Sequence, residues 1–191
     1  MADYDFAKIE KKLSKYLDED RFQHTMGVMY TSACLAMVHG YDIKDAQVSG
    51  LLHDCAKCIP NKKKLKMCSE HNIPVSDFER SHPFLLHSRL GAYIAHEKYG
   101  IDDQEILSAI NYHTTGRREM SLLEKIIYIA DYIEPMRYKA SRLPEIRKLA
   151  FEDLDECMYE ILKDTLEYLE EDSADDIEPV SYTHLTLPTI R

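Results

Sequence analysis

At 191 residues the chain is long enough for one domain with a true core, since a chain of this size buries roughly two-thirds of its unfolded surface. Apolar residues at 45% and aromatics at 9% exclude a disordered chain, and no apolar run nears the ~20 residues of a bilayer span. The net charge of −10 is concentrated in residues 152–178, where thirteen Asp or Glu accompany one Lys, so the remainder carries about +2. That balance argues against a nucleic-acid polymer as partner, yet leaves room for a cationic pocket. The charged N-terminus is no signal peptide, and five cysteines, an odd number, fit reduced thiols. A cytoplasmic enzyme is the expectation, with no membrane partner.

Phe6, Ile9, Leu13 and Leu17 recur at helical spacing and predict a first amphipathic helix ending near Asp18. A second helix runs from about Asp20 to His39 and stops at Gly40. It carries Arg21 and His24 early, with Met26, Met29, Ala33 and Met37 read as core. Asp45 is placed to cap a third helix through Leu51 and Leu52 to the pair His53-Asp54, closed by Pro60. Cys55 and Cys58 are spaced for a metal or redox pair, but without a second pair they read as packing residues on one helical face. Asn61 opens a short basic helix whose Lys62, Lys63, Lys64 and Lys66 read as a solvated face.

Ser76 begins a turn broken by Pro83, and Phe84 to Tyr99 reads as a helix containing His87. Asp102 or Asp103 caps the next helix, which ends at Asn111-Tyr-His113-Thr114-Thr-Gly116. Ser121 caps the apolar Leu122–Ile133 helix, with Asp131 near its end and Pro135 beyond. Pro144 opens a final long helix reaching about Leu169. No period-2 segment of useful length appears, so the fold class is all-α: a single helical bundle with its site in the core. Nothing in the pattern separates a monomer from a homodimer. Val180–Arg191 turns Thr- and Leu-rich and looks like a translated sequencing adapter, so residues 1–179 are read as the domain and His184 is set aside.

Of the other histidines, His39 suits a helix C-terminus, His71 lies in a polar stretch, His82 precedes a proline, and His96 faces away from His87. His24, His53, His87 and His113, with Asp54 and Asp131, remain. Each sits on or at the end of a predicted helix among small or apolar residues. Imidazole and carboxylate without thiolate suit iron, manganese, cobalt or zinc as a divalent ion, and a bundle core can hold two such ions. A Gly-rich phosphate loop is missing, which argues against a kinase or P-loop enzyme.

The order His24, His53-Asp54, His87, His113, Asp131 resembles the HD-domain metal phosphohydrolases. Five strings are similar, more narrowly, to the bacterial YqeK family of symmetrical diadenosine tetraphosphate (Ap4A) hydrolases. They are Arg21-Phe-Gln-His24-Thr-Met-Gly-Val28, Leu52-His-Asp-Cys-Ala-Lys57, Leu86-His87-Ser-Arg-Leu-Gly-Ala92, Tyr112-His-Thr-Thr-Gly116 and Ile129-Ala-Asp131-Tyr-Ile-Glu-Pro135. The resemblance implies a di-iron-type centre that uses metal-activated water to cleave Ap4A into two ADP. It implies that His24, His53, Asp54 and Asp131 hold the principal metal, with His87 and His113 at a second metal or the phosphate chain. His53, Asp54, His87 and His113 are then the catalytic set. Arg21, His24, Lys57, His87, His113, Thr114, Arg137 and, more weakly, Arg142 fall where substrate contacts are expected. The metal residues alone also fit another HD phosphohydrolase acting on dNTPs, cyclic dinucleotides or a nucleoside monophosphate. A regulatory module that binds nucleotide without turnover is the third reading.

Overall fold

The computed structural model describes residues 4–138, 140 and 142–172, with side chains as far as Glu167. The adapter-like tail lies outside the described residues, which hold ten α-helices and no strand. These are α1 (Phe6–Leu13), α2 (Glu19–His39), α3 (Ile43–Leu52), α4 (Asn61–Glu70), α5 (Asp77–Ser81), α6 (Leu86–Tyr99), α7 (Gln104–Tyr112), α8 (Leu122–Ile133), α9 (Leu143–Ala150) and α10 (Leu154–Asp172). A 3₁₀ turn, Pro83–Leu85, leads into α6. No helix of the described residues is long and apolar enough to cross a membrane.

Side-chain caps start most of these helices. Asp18 accepts from Arg21 N–H to open α2, and Asp103 accepts from Glu105 and Ile106 N–H to open α7. Ser76 and Ser121 each form a reciprocal capping box, with Glu79 and Glu124. Several boundaries differ from the sequence expectation. Helix α1 stops at Leu13, short of Asp18, where the chain passes into turns, and α6 begins at Leu86 because Pro83–Leu85 form the 3₁₀ turn. Asp42, not Asp45, caps α3, because its carboxylate reaches the N–H groups of both Lys44 and Asp45. The single long C-terminal helix is two. The chain turns at Phe151 and Glu152, and Asp153 Oδ1 accepts from Asp155 and Glu156 N–H, which starts α10 afresh. An apolar stripe continues across that break, so periodicity could not reveal it.

The centre of the bundle is α2, α3, α7 and α8. Helix α2 packs on α3 and α8, α7 packs on α3, α6 and α8, and α10 covers α8 and α9. The contact between α2 and α3 is close because Gly50 faces α2. A Cβ there would stand 2.9 Å from Met29 Cα and 2.9 Å from Ser32 Oγ. The core is Leu- and Ile-rich, with Leu13, Leu35, Leu51, Leu52, Leu90, Ile110, Ile126 and Ile127 fully buried. Three burial readings are corrected. Met37 is exposed at 60%, one position beyond the buried stripe of α2. Cys58 is exposed, its Sγ donating to Asp18 Oδ2 at 3.4 Å, while Cys55 is buried. Lys64, read as solvated, is 3% exposed, because Lys64 and Cys68 form the inward face of α4.

Candidate metal centre

Helix α3 ends at Leu52, so the His53-Asp54 pair lies at the helix terminus and not within it. His53 keeps helical backbone angles, and the chain then tightens into three-residue turns, with Cys55 N–H on Leu52 O and Lys57 N–H on Asp54 O. His113 occupies the matching place at the end of α7. The last carbonyls of a helix have no partner within it. Here imidazoles take two of them: His53 Nδ1–H donates to Gly50 O and His113 Nδ1–H to Ile110 O, each at 2.7 Å. His87, second residue of α6, donates Nδ1–H to Phe84 O of the 3₁₀ turn at 2.6 Å. A carbonyl only accepts, so each of these rings carries its proton on Nδ1 and presents the Nε2 lone pair inward.

His24 is fixed by a carboxylate. Its Nδ1–H donates at 3.0 Å to Glu134 Oε1, just past the end of α8. Glu134 is buried and accepts from Met136 N–H through its other oxygen. Gly27 makes the room for it, since a Cβ at that position would stand 2.5 Å from Glu134 Oε2. Arg147 on α9 secures the same turn by donating to the carbonyls of Ile133, Glu134 and Arg137. Sequence reading gave Gly27, Glu134 and Arg147 no role. Gly27 and Glu134 do sit inside two of the strings that carry the resemblance.

All four Nε2 atoms converge on Asp54, which is itself buried, and those of His24 and His53 also face Asp131. Asp54 Oδ2 lies 3.6 Å from His53 Nε2 and 3.9 Å from His24 Nε2. Its Oδ1 lies 3.2 Å from His87 Nε2 and 3.5 Å from His113 Nε2. One carboxylate therefore faces two pairs of imidazoles. Asp131 Oδ1 is 3.0 Å from His24 Nε2 and 4.0 Å from His53 Nε2. Two sets have every ligand atom within 4.8 Å of the others: His24, His53 and Asp131, and His53, Asp54 and His113.

With Nδ1 protonated on each ring, these are lone pairs facing lone pairs. His87 and His113 Nε2 stand only 3.2 Å apart, and His24 Nε2, His53 Nε2 and Asp54 Oδ1 are buried without a hydrogen-bond partner. Burying acceptors against acceptors is unfavourable unless a cation lies among them. Protons do not supply it at His53 and His87, because burial pushes both imidazoles down to about 4. Burial also disfavours the charged form of His24, but Asp131 and Glu134 outweigh it and raise its pKa. Burial resists ionisation of Asp54 too, yet the facing imidazoles of His53, His87 and His113 hold its carboxyl well below the usual range. Neutral imidazoles at His53 and His87 beside the ionised carboxylate of Asp54 are the protonation states that bind a divalent metal, and the residues fit one.

Cations surround the cluster. Arg21 Nη1 donates to Asp54 Oδ2 and Arg137 Nη2 to Asp131 Oδ1, each at 2.8 Å. Lys57 Nζ lies 3.2 Å from His87 Nε2, and Thr114 Oγ1 lies 3.1 Å from the Nε2 atoms of both His87 and His113. Arg21, His24, His113, Thr114, Asp131 and Arg137 all line one cavity of about 1170 Å³. Arg142 does not. Its guanidinium is engaged by Glu145, Glu160 and Asp164, away from the cluster. His39, His71, His82 and His96 also lie outside it, bonded respectively to Ala150 O, Tyr93 Oη, Phe78 O and Ile101 O.

A family model described as HD domain matches residues 21–136. The symmetrical bis(5'-nucleosyl)-tetraphosphatase of Bacillus subtilis is 40% identical over 157 residues, covering 82% of this chain and 83% of the relative. The enzyme of the same name from Halalkalibacterium halodurans is 40% identical over 154 residues, 81% of each chain. A solved Clostridium acetobutylicum protein, described as a predicted HD superfamily hydrolase involved in NAD metabolism, superposes with a TM-score of 0.91. It is 37% identical and 96% of each chain is covered.

Proposed function

The chain belongs to the HD-domain family and, within it, to the symmetrical bis(5'-nucleosyl)-tetraphosphatases, and from that membership we propose how its residues cleave a dinucleoside tetraphosphate. The reaction is the hydrolysis of Ap4A to two ADP. The observation that carries the site is the convergence of four Nε2 lone pairs on the buried Asp54, two of them shared with Asp131. His24, His53, Asp54 and Asp131 would hold a principal divalent metal, and His87 and His113 would hold a second. A bound metal pair supplies a nucleophilic water near neutral pH and neutralises charge on the phosphoryl oxygens.

The chain's own residues do the rest. Asp54 sets the spacing between the two halves of the site, because its oxygens point to different imidazole pairs. Symmetrical cleavage needs two phosphates on either side of the reacting bond, and cations flank the cluster on both. Arg21 and Arg137 stand on one side and Lys57 on the other. Each guanidinium uses one nitrogen on a carboxylate and has further N–H donors for phosphoryl oxygens. Thr114 places its hydroxyl beside the Nε2 atoms of His87 and His113, within reach of the same chain. On this reading the metals are two iron ions, and manganese or cobalt serves in the same N- and O-donor set. The enzyme works in the bacterial cytoplasm.

The test is product analysis on Ap4A with the protein loaded with Fe²⁺, Mn²⁺ or Co²⁺. ADP as sole product is expected. ATP with AMP would mean asymmetric cleavage, and no turnover with any of the metals would favour a binding module.

A further inference from the structure

Among the described residues, five charged side chains other than histidine are buried, and four of them have a partner of opposite charge. Asp54 has Arg21, Glu79 has Arg89, Glu124 has Arg117, and Glu134 has His24. The fifth is Lys64. Its Nζ donates only to the neutral Asn61 Oδ1, at 3.3 Å. Its charged neighbours in range are Lys57, a like charge, and Asp54, which is already surrounded by imidazoles and Arg21. Burial, with Lys57 adding to it, holds the ammonium below the usual lysine range. An ammonium enclosed without a counter-charge is unfavourable, and a second cation beside it adds repulsion. Both costs vanish when an anion arrives.

The place of the pair identifies the anion. Lys64 lies on α4, which packs on the 3₁₀ turn and α6 that carry Phe84 and His87. Lys57, part-exposed, stands at His87 Nε2 on the Oδ1 side of Asp54. Arg21 and Arg137 serve the Oδ2 and Asp131 side, which opens into the large cavity. We propose that Lys57 in front and Lys64 behind it form a diphosphate subsite on the His87 side of the cluster. It holds the ADP half of the substrate that lies opposite Arg21 and Arg137. The inference rests on the Ap4A hydrolase reading and names the groups that grip one half. Lys57 meets the phosphoryl oxygens and Lys64 deepens the positive potential under them.

The test is Lys64→Met in the metal-loaded protein. Affinity is measured for the Ap4A analogue with a methylene in place of the central bridging oxygen, alongside KM for Ap4A. Loss of the positive charge beneath the diphosphate predicts that both Kd and KM rise about tenfold. Metal content and kcat hold, and the melting temperature does not fall, since an apolar side chain replaces an unpaired charge. Lys64→Arg keeps the charge and holds Kd within about threefold. Wild-type Kd in Lys64→Met overturns the subsite, as does an Arg variant that loses as much as the Met variant. A lysine needed only for packing would lower the melting temperature and leave the Arg variant no better at binding. Failure of wild type to make ADP, with a Lys64-dependent Kd, removes the hydrolase reading and leaves the subsite. No binding of the analogue by wild type overturns both.

Discussion

His24 carries its proton on Nδ1 because Glu134 accepts it at 3.0 Å, and the tautomer is what turns Nε2 toward Asp131. Partners of this kind tune a metal without touching it, and their loss costs roughly ten- to a hundredfold in metal affinity. Glu134→Gln should therefore bind Mn²⁺ at least tenfold more weakly, with an unchanged far-ultraviolet dichroism spectrum. Equal affinity in a chelator competition would show that the carboxylate does not orient the ring. Asp54 acts differently, since both halves of the cluster face it. Asp54→Ala should lose bound metal and nearly all turnover, and full metal content in that variant would remove Asp54 from the ligand set. Lys57 and Arg137 touch His87 and Asp131 side chains, but are expected to bind phosphate and not the metals. Removing such a contact costs about 1.5–3 kcal/mol, or roughly ten- to over a hundredfold in kcat/KM. Lys57→Ala and Arg137→Ala should lose activity in that range with metal content intact, and wild-type kinetics would return them to the solvated surface.

Two helix glycines make opposite use of a missing Cβ. At Gly50 the obstacle is backbone, with Met29 Cα at 2.9 Å, so α2 and α3 must separate to admit a methyl group. Helix propensity favours Ala over Gly by about 1 kcal/mol, whereas forced overpacking costs about 1–3 kcal/mol. The overlap wins, and Gly50→Ala should lower the melting temperature by a few degrees at this chain length. At Gly27 the obstacle is the carboxylate end of Glu134, which can swing away. Gly27→Ala should then leave the melting temperature near wild type and weaken metal binding through His24. Calorimetry and metal titration on the two variants separate the cases. The reverse pattern would mean that the α2–α3 contact, not the Glu134 carboxylate, governs the ring.

Across the whole molecule, the depressed imidazoles link stability to pH. His53 and His87 titrate near 4 in the folded protein and near 6.5 when unfolded. Between those values the unfolded chain binds more protons, so stability falls as pH falls. The raised pKa of His24 acts the other way, and its contribution is lost as pH rises above 6.5. The metal-free protein should therefore melt progressively lower from pH 6.5 to 4, before Asp54 or Asp131 is protonated. A flat profile by calorimetry would mean that the two rings reach water. Metal binding adds stability by mass action, so chelation should lower the melting temperature at pH 7. Deleting Ser181–Arg191 should change neither activity nor melting temperature, and a drop of several degrees would show that the segment packs on the domain.

Helical periodicity, the capping serines and the donor types were readable in the sequence, because each is local: a repeat near 3.6 or a hydroxyl three residues before a Glu needs no distant partner. His24, His53-Asp54, His87, His113 and Asp131 stood out as ligand types in apolar settings for the same reason. Tertiary structure alone decided which atoms meet. Glu134 lies 110 residues from the His24 that it orients, and only the packing of α2 on α8 joins them. Periodicity reports which side of a helix a residue occupies, not where the helix stops or how deep that side lies. So the His-Asp pair proved to be a helix terminus, the final helix proved to be two, and Met37 and Lys64 exchanged surface for core. Lys64 stands next to the exposed Lys63 in one lysine run, and the packing of α4 on α6 is what separates them.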